Sequence, residues 1–448
     1  MDTIKNLQFY SALFGAKAAS KLLHLYSKNA GTSFPGVAAF KIDKDFLKDS
    51  SKFCNKKIIT ITGTNGKTTT SGIIATILKE QGENVLHNQK GANMPQGIAT
   101  AIALGINPFK KADYFVLEND EAYLSKVYDQ INADYLVVTN LFHDQLDRYG
   151  EIETTAKKIR TAIDKNPNLT ILLNADDPML KTLYTDNTIT YGFESIEIVE
   201  NTTQIQKSIE NIYCTCKNKF KYSQNFYGHL GHYKCPCGYT RPTPQINATA
   251  KIYHDKSILE VNYNNSKFTF ETHIPGLYNA YNALAAIAVA LSLNVKSETI
   301  QKAFDHYKSA FGRAEKLQIN GKNVFIQLIK NPVGASEVIH TICNDKDSKL
   351  LIAINDEYAD GRDISWLWDT DFEAFENYPN TIYTTGNRAN DMALRLKYTN
   401  YKSNKLQIIP NIEEALNKAF SELEQNETLH ILPSYTTLLT MQNLLKKL

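Results

Sequence analysis

The sequence of 448 residues lacks the features of a secreted, membrane-spanning or nucleic-acid-binding protein. It has only 6 cysteines, and 49 basic residues nearly balance 47 acidic ones, so that the net charge is +2. This balance gives no general electrostatic reason to bind nucleic acid. No apolar run approaches the roughly 20 residues that cross a bilayer, and Lys17, Lys21 and His24 interrupt even the stretch Phe9 to Tyr26. We therefore expect a cytoplasmic protein without a transmembrane segment.

Strand and helix signals alternate through most of the chain, which predicts parallel sheets in an α/β fold. With 43% hydrophobic residues, the chain is long enough for two or three packed units. We expect a helical extension over residues 1–50, an α/β domain over 51–317 and a Rossmann-like α/β domain over 318–448. A polar, cysteine-paired insertion is expected at about 201–245. The alternating stretch Ala250 to Phe270 indicates a β hairpin or meander.

A glycine-rich turn lies between a predicted strand and a predicted helix. Its residues are Gly63, Thr64, Asn65, Gly66, Lys67 and Thr68, followed by Thr69. Glycines let the backbone wrap around a phosphate, and the free amides at the start of the helix stabilise the anion. Lys67 would neutralise the β and γ phosphates of ATP, and the Thr68 hydroxyl would bind Mg²⁺. The alternative is an ordinary glycine turn between strand and helix.

Acidic residues follow the predicted strand Tyr114 to Leu117 in the order Glu118, Asp120, Glu121. A carboxylate at this strand end would bind a second Mg²⁺ opposite the γ phosphate, because hard oxygen ligands suit that ion. We choose Glu118 as the ligand, and the alternative is a solvated acidic strand end. His143 follows another predicted strand, where we expect a packing or surface role rather than chemistry.

The short phosphate turn, G-T-N-G-K-T-T, resembles that of the Mur ligases and folylpolyglutamate synthases. Three further segments are similar to motifs of these enzymes, in the same order: Asn174-Ala175-Asp176-Asp177-Pro178, a helix with Asn279 and Asn282, and Gly312-Arg313-Ala314-Glu315. The resemblance implies that ATP activates a carboxylate as an acyl phosphate before amide formation. It also implies that Asn282 meets adenine and that Arg313 approaches the phosphates.

Only about 55 residues precede the strand that leads to this turn, too few for the nucleotide-sugar domain of Mur ligases that extend UDP-linked precursors. The chain is instead similar, over nearly its whole length, to the MurT family, the synthetase subunits of lipid II isoglutaminyl synthase. The similar segments are residues 91–94, 117–122, 144–151, 329–335 and 358–369. The resemblance implies a Mur ligase-type parallel-sheet ATPase domain with an inserted zinc ribbon, followed by the C-terminal α/β domain.

The resemblance further implies ATP-dependent amidation of the D-glutamate carboxyl of lipid II to D-isoglutamine at the inner face of the cell membrane. Ammonia would come from a GatD-like glutamine amidotransferase. Neither Cys54 nor Cys343 lies in a glycine-flanked nucleophile turn, so we expect no glutaminase in this chain. In the family an aspartate of the C-terminal domain completes the partner's Cys-His pair, a role that the resemblance gives to Asp363 and, second, to Asp360. The alternative is a turn or helix-capping aspartate.

The other four cysteines form two pairs, Cys214 with Cys216 and Cys235 with Cys237. Four clustered thiolates in a chain without a secretion signal favour a structural Zn²⁺ site over disulfides. The C-x-C spacing departs from the usual C-x-x-C of zinc knuckles, and free thiols are the alternative. Either His229 or His232 could replace one sulfur.

Two other functions remain open from the sequence. A folylpolyglutamate synthase-like ligase would act alone with an amino acid and need no amidotransferase. A regulatory or scaffold protein would have kept the nucleotide site and lost turnover.

Overall fold

The computed structural model describes residues 2–26, 33–88, 92–144, 152–199, 212–253, 255–308, 315–343 and 345–448. Two mainly parallel sheets and a small two-stranded antiparallel ribbon organise these ranges. The strands are β1 (Cys54–Thr62), β2 (Val85–His87), β3 (Ala112–Glu118), β4 (Tyr135–Val138), β5 (Thr170–Asn174), β6 (Thr188–Ile198), β7 (Lys221–Tyr227), β8 (Leu230–Lys234), β9 (Ile246–Ile252), β10 (Ser257–Tyr263), β11 (Ser266–Thr272), β12 (Glu315–Ile319), β13 (Lys322–Ile326), β14 (Ser348–Ala353), β15 (Ile382–Thr385), β16 (Leu406–Ile408) and β17 (Thr428–Pro433).

The α-helices of the described ranges are numbered in chain order. They are α1 (Asp2–Tyr26), α2 (Phe34–Ile42), α3 (Phe46–Ser50), α4 (Lys67–Glu80), α5 (Pro95–Gly105), α6 (Leu124–Tyr128), α7 (Ile152–Ile163), α8 (Leu277–Ser292), α9 (Ser297–His306), α10 (Pro332–Ile342), α11 (Trp366–Asp369), α12 (Ala389–Lys397), α13 (Ile412–Ser421) and α14 (Tyr435–Leu445).

The larger sheet has 9 strands in the order β11-β10-β9-β6-β5-β4-β1-β3-β2. Neighbouring strands run parallel from β9 to β2. Along β1, Ile59 and Ile61 pack on the side of α4 and α8, whereas Ile58 packs on the side of α5 and α7. Helices on both faces explain why the inner strands are almost wholly apolar. Strand β1 lies between β3 and β4, so the three carboxyl ends meet where ligands of such sheets usually bind.

The stretch predicted as a hairpin or meander forms β9, β10 and β11, and that prediction is confirmed. These strands extend the larger sheet, because β9 pairs in parallel with β6. The cysteine-paired stretch lies between β6 and β9 and contains the antiparallel ribbon β7–β8.

The smaller sheet has 6 strands in the order β12-β13-β17-β14-β15-β16. Only the pair β12–β13 is antiparallel; the other pairs are parallel, as in a Rossmann-like layer. The expected boundary at residues 317/318 falls inside β12, and the domain limits stay a prediction.

The N-terminal helices pack beside α5. Ring stacking joins Phe9 of α1 to Phe46, with centroids 5.3 Å apart. Helix α2 approaches α5 so closely that a Cβ on Gly36 would lie 1.9 Å from the Gln96 carbonyl oxygen. Among the described helices, including the 25-residue α1, we find no segment that is both apolar enough and long enough to traverse a bilayer.

A buried ion pair attaches the ribbon segment to the larger sheet. Arg241 Nε donates to Asp176 Oδ1 at 2.6 Å, while Asp176 Oδ2 accepts from the Tyr281 hydroxyl of α8 at 2.8 Å. Burial raises the pKa of Asp176, and the nearby Arg241 guanidinium partly offsets this. Both side chains are almost completely shielded from solvent.

Breaking this pair should destabilise the fold. An Arg241→Met substitution leaves a buried carboxylate without its cation, and we expect a loss of about 3–5 kcal/mol in the free energy of unfolding. The matched control is Lys251→Met, because the Lys251–Glu197 pair is largely exposed and should contribute less than about 1 kcal/mol. Urea unfolding followed by circular dichroism measures both, and equal effects would contradict the prediction.

Candidate active site

The phosphate-type turn lies between β1 and α4, as the sequence predicts. Gly63 has φ +122° and Gly66, the residue before α4, has φ +85°. A side chain is excluded at Gly66 for a second reason, because a Cβ there would lie 1.9 Å from Asn282 Oδ1. The backbone can therefore approach a phosphate closely only with glycine at these positions.

Residues after β4 hold this turn in place. The Asn65 amide donates to Asn140 Oδ1 at 2.9 Å, and the Thr64 amide donates to the Asn140 carbonyl at 2.9 Å. Thr139 Oγ1 donates to the Asn65 carbonyl at 2.7 Å. The turn is thus fixed before any ligand arrives, which lowers the cost of binding one.

Lys67 is buried at the start of α4, and its ammonium group donates to the Gly63 carbonyl and to Glu121 Oε2 at 2.9 Å. Burial alone would lower the pKa of Lys67, but Glu121, Asp120 and Glu118 more than offset it, so the net pKa is raised. Burial also raises the pKa of Glu121, and Lys67 opposes that shift. The turn therefore holds a fixed cation beside three carboxylates.

Glu118, at the end of β3, is 2% exposed. Its Oε1 accepts from Asn93 Nδ2 at 3.1 Å, whereas its Oε2 is buried and has no hydrogen-bond partner in the described part of the chain. Asn88 holds the Glu118 backbone through two hydrogen bonds. The Glu118 amide donates to Asn88 Oδ1 at 2.7 Å, and Asn88 Nδ2 donates to the Glu118 carbonyl at 2.8 Å. A rigid carboxylate with one unused oxygen fits a hard divalent cation. Thr68, also predicted to bind Mg²⁺, is partly exposed in the first turn of α4.

Glu121 belongs to the site, because it pairs with Lys67, but the sequence did not predict this role. The pattern E-x-D-E indicated an acidic strand end but not which carboxylate would face Lys67. Asp120 accepts from the Ala122 amide at 3.0 Å, which shapes the loop that carries Glu121.

Two asparagine side chains of helix α8 connect it to the phosphate-type turn. Asn282 lies over Gly66 and donates to Asn279 Oδ1 at 3.1 Å, and Asn279 donates to the Pro275 carbonyl at 2.7 Å. This geometry ties Asn282 to the phosphate turn, and its expected contact with adenine stays a prediction. Arg313 lies outside the described residues.

The C-terminal unit, which contains the smaller sheet β12 to β17, contacts the same phosphate-type turn. Asn331 Nδ2 donates to Asn65 Oδ1 at 2.9 Å, and Lys330 Nζ lies 2.6 Å from Asp144 Oδ2. Asn331 also caps α10, because its side chain accepts from the Gly334 amide. From the sequence this segment has a family likeness but no predicted role, since residues 331 and 65 are 266 positions apart.

Two of the three histidines singled out in the sequence lie in the ribbon segment. His143 is partly exposed beside Asp144. His229 Nε2 lies 3.1 Å from Asp177 Oδ1, with both side chains fully buried, and His232 Nε2 lies 2.8 Å from the Phe193 carbonyl oxygen. His229 and His232 therefore join the ribbon to the sheet.

The four paired cysteines converge at one end of the ribbon. The ligand atoms of Cys214, Cys216, Cys235 and Cys237 all lie within 4.8 Å of one another. The Sγ atoms of Cys214 and Cys237 are 3.7 Å apart, and those of Cys216 and Cys235 are 3.3 Å apart. Tetrahedral Zn–S bonds of about 2.3 Å place sulfurs about 3.8 Å apart, so the cluster fits a zinc ion. Hydrogen bonds from Asn218 lower the pKa of Cys216 to about 6, whereas burial raises the pKa of Cys235, so Cys216 supplies a thiolate more readily than Cys235 does.

Both C-x-C pairs use the same turn. The Cys214 amide donates to the Asn218 carbonyl at 2.9 Å, and the Cys235 amide donates to the Tyr239 carbonyl at 2.7 Å. The residue three positions after each first cysteine has positive φ, Lys217 at +66° and Gly238 at +92°. The repeated turn brings both sulfurs of each pair to one side despite the short spacing.

The two candidate aspartates of the C-terminal unit differ in their surroundings. Asp360 is 8% exposed and accepts from the Thr436 amide at 2.7 Å and the Thr436 hydroxyl at 2.6 Å. Asp363 is partly exposed, and its only hydrogen bond within the described ranges comes from the Ser365 amide at 2.8 Å. Asp360 thus holds the start of α14, whereas Asp363 has one carboxylate oxygen without a hydrogen bond to the described residues.

Comparison with known protein families accounts for both sheets. Residues 61–290 match the Mur ligase middle domain, and residues 328–438 match the MurT ligase C-terminal domain. Among solved structures, a pseudomurein peptide ligase type C from Methanothermus fervidus superposes with a TM-score of 0.69 at 25% identity, over 88% of this chain and 79% of that one. The expected Mur ligase-type fold is confirmed.

Two relatives are similar over nearly the whole chain. Subunit MurT of the glutamine-hydrolyzing lipid II isoglutaminyl synthase of Streptococcus pneumoniae is 38% identical over 428 residues, 93% of this chain and 92% of the relative. Its counterpart in Staphylococcus aureus is 33% identical over 440 residues, 96% of each chain. With its phosphate turn, its buried carboxylates and its C-terminal unit all in this arrangement, the chain belongs to the MurT family of Mur ligase-like proteins.

Proposed function

We propose that this chain is the ATP-consuming synthetase subunit of a lipid II isoglutaminyl synthase. It amidates the D-glutamate carboxyl of the lipid II stem peptide to D-isoglutamine, with ammonia from a GatD-like glutaminase subunit, at the inner face of the cell membrane. The names of the relatives support the reaction and the need for a second subunit. The observation that carries the proposal is the buried Lys67 ammonium inside the phosphate turn, paired with Glu121 and close to Glu118, which has an unused carboxylate oxygen.

Each residue has a defined part in this reaction. Amides of residues 63–69 and the Lys67 ammonium bind the phosphates of ATP. Thr68 would hold one Mg²⁺ and Glu118 a second, and these ions would polarise the terminal phosphate for transfer to the substrate carboxylate. Asn282 lies against Gly66 from α8, and Asn331 brings the C-terminal unit against Asn65, so that the phosphate turn is held from both sides.

Substitutions at Lys67 and Glu118 test this assignment. Lys67→Ala should weaken nucleotide binding and abolish turnover, because the phosphates lose their buried counter-charge. Glu118→Gln should keep nucleotide binding but reduce kcat by about 10²–10³-fold, since the metal loses a charged ligand. ATP hydrolysis is measured in the complex with the glutaminase subunit, and nucleotide affinity by calorimetry. Glu260→Gln, at an exposed pair on β10, is the control. Normal turnover by Lys67→Ala would contradict the proposed function.

The partner's catalytic pair would be completed by Asp363. Its exposed carboxylate supports this choice over Asp360, whose oxygens bind Thr436. A carboxylate that orients a histidine of the neighbouring subunit fixes its tautomer and stabilises its protonated form.

Asp363→Asn should separate the two half-reactions. We expect glutamine hydrolysis by the complex to fall on the order of 10³–10⁴-fold, while amidation driven by added ammonium chloride continues. Asp360→Asn should instead lower the thermal stability of the chain, because it weakens the start of α14. Loss of ammonium-driven amidation in Asp363→Asn would place this residue outside the glutaminase site. Glutamine-driven amidation by the chain alone would contradict the need for a partner.

The cysteine cluster would hold a structural zinc ion through Cys214, Cys216, Cys235 and Cys237. Four sulfur ligands leave no open position for a substrate, so this metal would stabilise the ribbon rather than take part in catalysis.

Metal analysis tests the zinc site directly. We expect about one zinc per chain in the purified protein, and less in Cys235→Ser together with a lower unfolding temperature. Cys343→Ser is the control, because Cys343 lies in the C-terminal unit at the end of α10. Full zinc content in Cys235→Ser would show that the ion binds elsewhere.

A further inference from the structure

Helix α1 has an apolar face that the fold does not use. Its inner face is buried through Phe9, Ala12, Leu13 and Ala16. On the opposite side the exposed fractions are 70% for Leu7, 37% for Tyr10, 56% for Phe14 and 58% for Leu22. At 100° per residue these four side chains fall within a sector of about 120°, in which the exposed polar residues are Ser11 and Lys21. An ordinary surface helix would carry polar residues in that sector.

A second apolar group lies close to this helix. Phe109, in the turn between α5 and β3, is 98% exposed, the highest value among the large apolar residues of the described ranges. Lys17 Nζ of α1 donates to the Ile106 carbonyl at 2.8 Å, which joins the helix to the segment that leads into this turn. Leu104, at the end of α5, is 46% exposed.

Basic residues flank both groups. Lys21 on α1, and Lys110 and Lys111 after Phe109, are exposed. Within the ranges that the structure describes, none of these three lysines takes part in an ion pair. Lysine is depleted at interfaces between proteins, whereas leucine and phenylalanine beside unpaired lysines are typical of helices that lie in a membrane surface.

We propose that Leu7, Tyr10, Phe14, Leu22 and Phe109, together with these lysines, form a face that binds the surface of an anionic phospholipid bilayer. The apolar side chains would enter the headgroup region with α1 in the membrane plane, and the lysines would contact lipid phosphates. This inference goes beyond the proposed function, because binding to the bilayer needs neither ATP nor a second subunit. Its consequence for that function is that the chain would be held where a lipid-linked substrate lies.

Flotation with vesicles tests the proposal on the full-length chain. The wild-type chain should float with vesicles of phosphatidylglycerol and phosphatidylcholine, less with phosphatidylcholine alone, and less in 0.5 M salt. The variant Leu7→Ser/Phe14→Ser/Phe109→Ser should bind at least about tenfold more weakly. The matched control is Leu394→Ser/Leu439→Ser, because these side chains are 48% and 47% exposed in the C-terminal unit.

Equal flotation of the wild type and the triple variant, or no flotation of the wild type, would overturn the proposal. A wild-type dimer in size-exclusion chromatography that the triple variant converts to a monomer would instead assign this face to self-association. Loss of binding to the glutaminase subunit in the triple variant would assign it to that partner. Nucleotide affinity of the triple variant should equal that of the wild type, so that a failure here is distinguishable from a failure of the proposed catalytic site.

Discussion

The structure of this site depends on one buried cation. The Lys67 ammonium lies within the phosphate turn and is balanced by Glu121, with Glu118 and Asp120 close enough to raise its pKa. A buried ammonium without these carboxylates would be expensive, and the carboxylates without the ammonium would repel one another. Each charge thus requires the others, and an incoming triphosphate would compete with Glu121 for Lys67. The residues with most control over nucleotide binding therefore come from two different strand ends.

The larger sheet brings the carboxyl ends of β1, β3 and β4 together at the site. Strand β1 leads into the turn, β3 ends on Glu118, and β4 is followed by Thr139 and Asn140, which bond to the turn backbone. Because β1 has a parallel neighbour on each side, the order of the strands in the sheet, and not the loops, places these residues next to one another. The helices on both faces keep it rigid, and α8 adds Asn282 from the side.

The sequence predicted the parts of the site that are local in the chain. The turn from Gly63 to Thr68, the acidic strand end and the cysteine pairs are short motifs whose chemistry follows from spacing. It did not assign Glu121 to Lys67, which are 54 positions apart, or Asn331 to Asn65, because such contacts depend on strand order and on how the two sheets meet. The repeated turn with Lys217 and Gly238 at positive φ was equally hidden, since a lysine at such a position has no sequence signature. Arg313 and the domain limits remain predictions.

Two polar contacts join the C-terminal unit to the unit that contains the larger sheet, and they are of different physical kinds; Val333 adds an apolar contact, because it is buried in the core of the larger sheet. Asn65 and Asn331 form a neutral amide pair, whereas Lys330 and Asp144 are oppositely charged, with Lys330 partly accessible to solvent. Dissolved ions weaken a partly exposed charge pair and leave a neutral pair almost unchanged. Higher ionic strength would therefore weaken the Lys330–Asp144 pair while the Asn65–Asn331 pair and the packing of Val333 persist, so that only part of this junction would respond to salt.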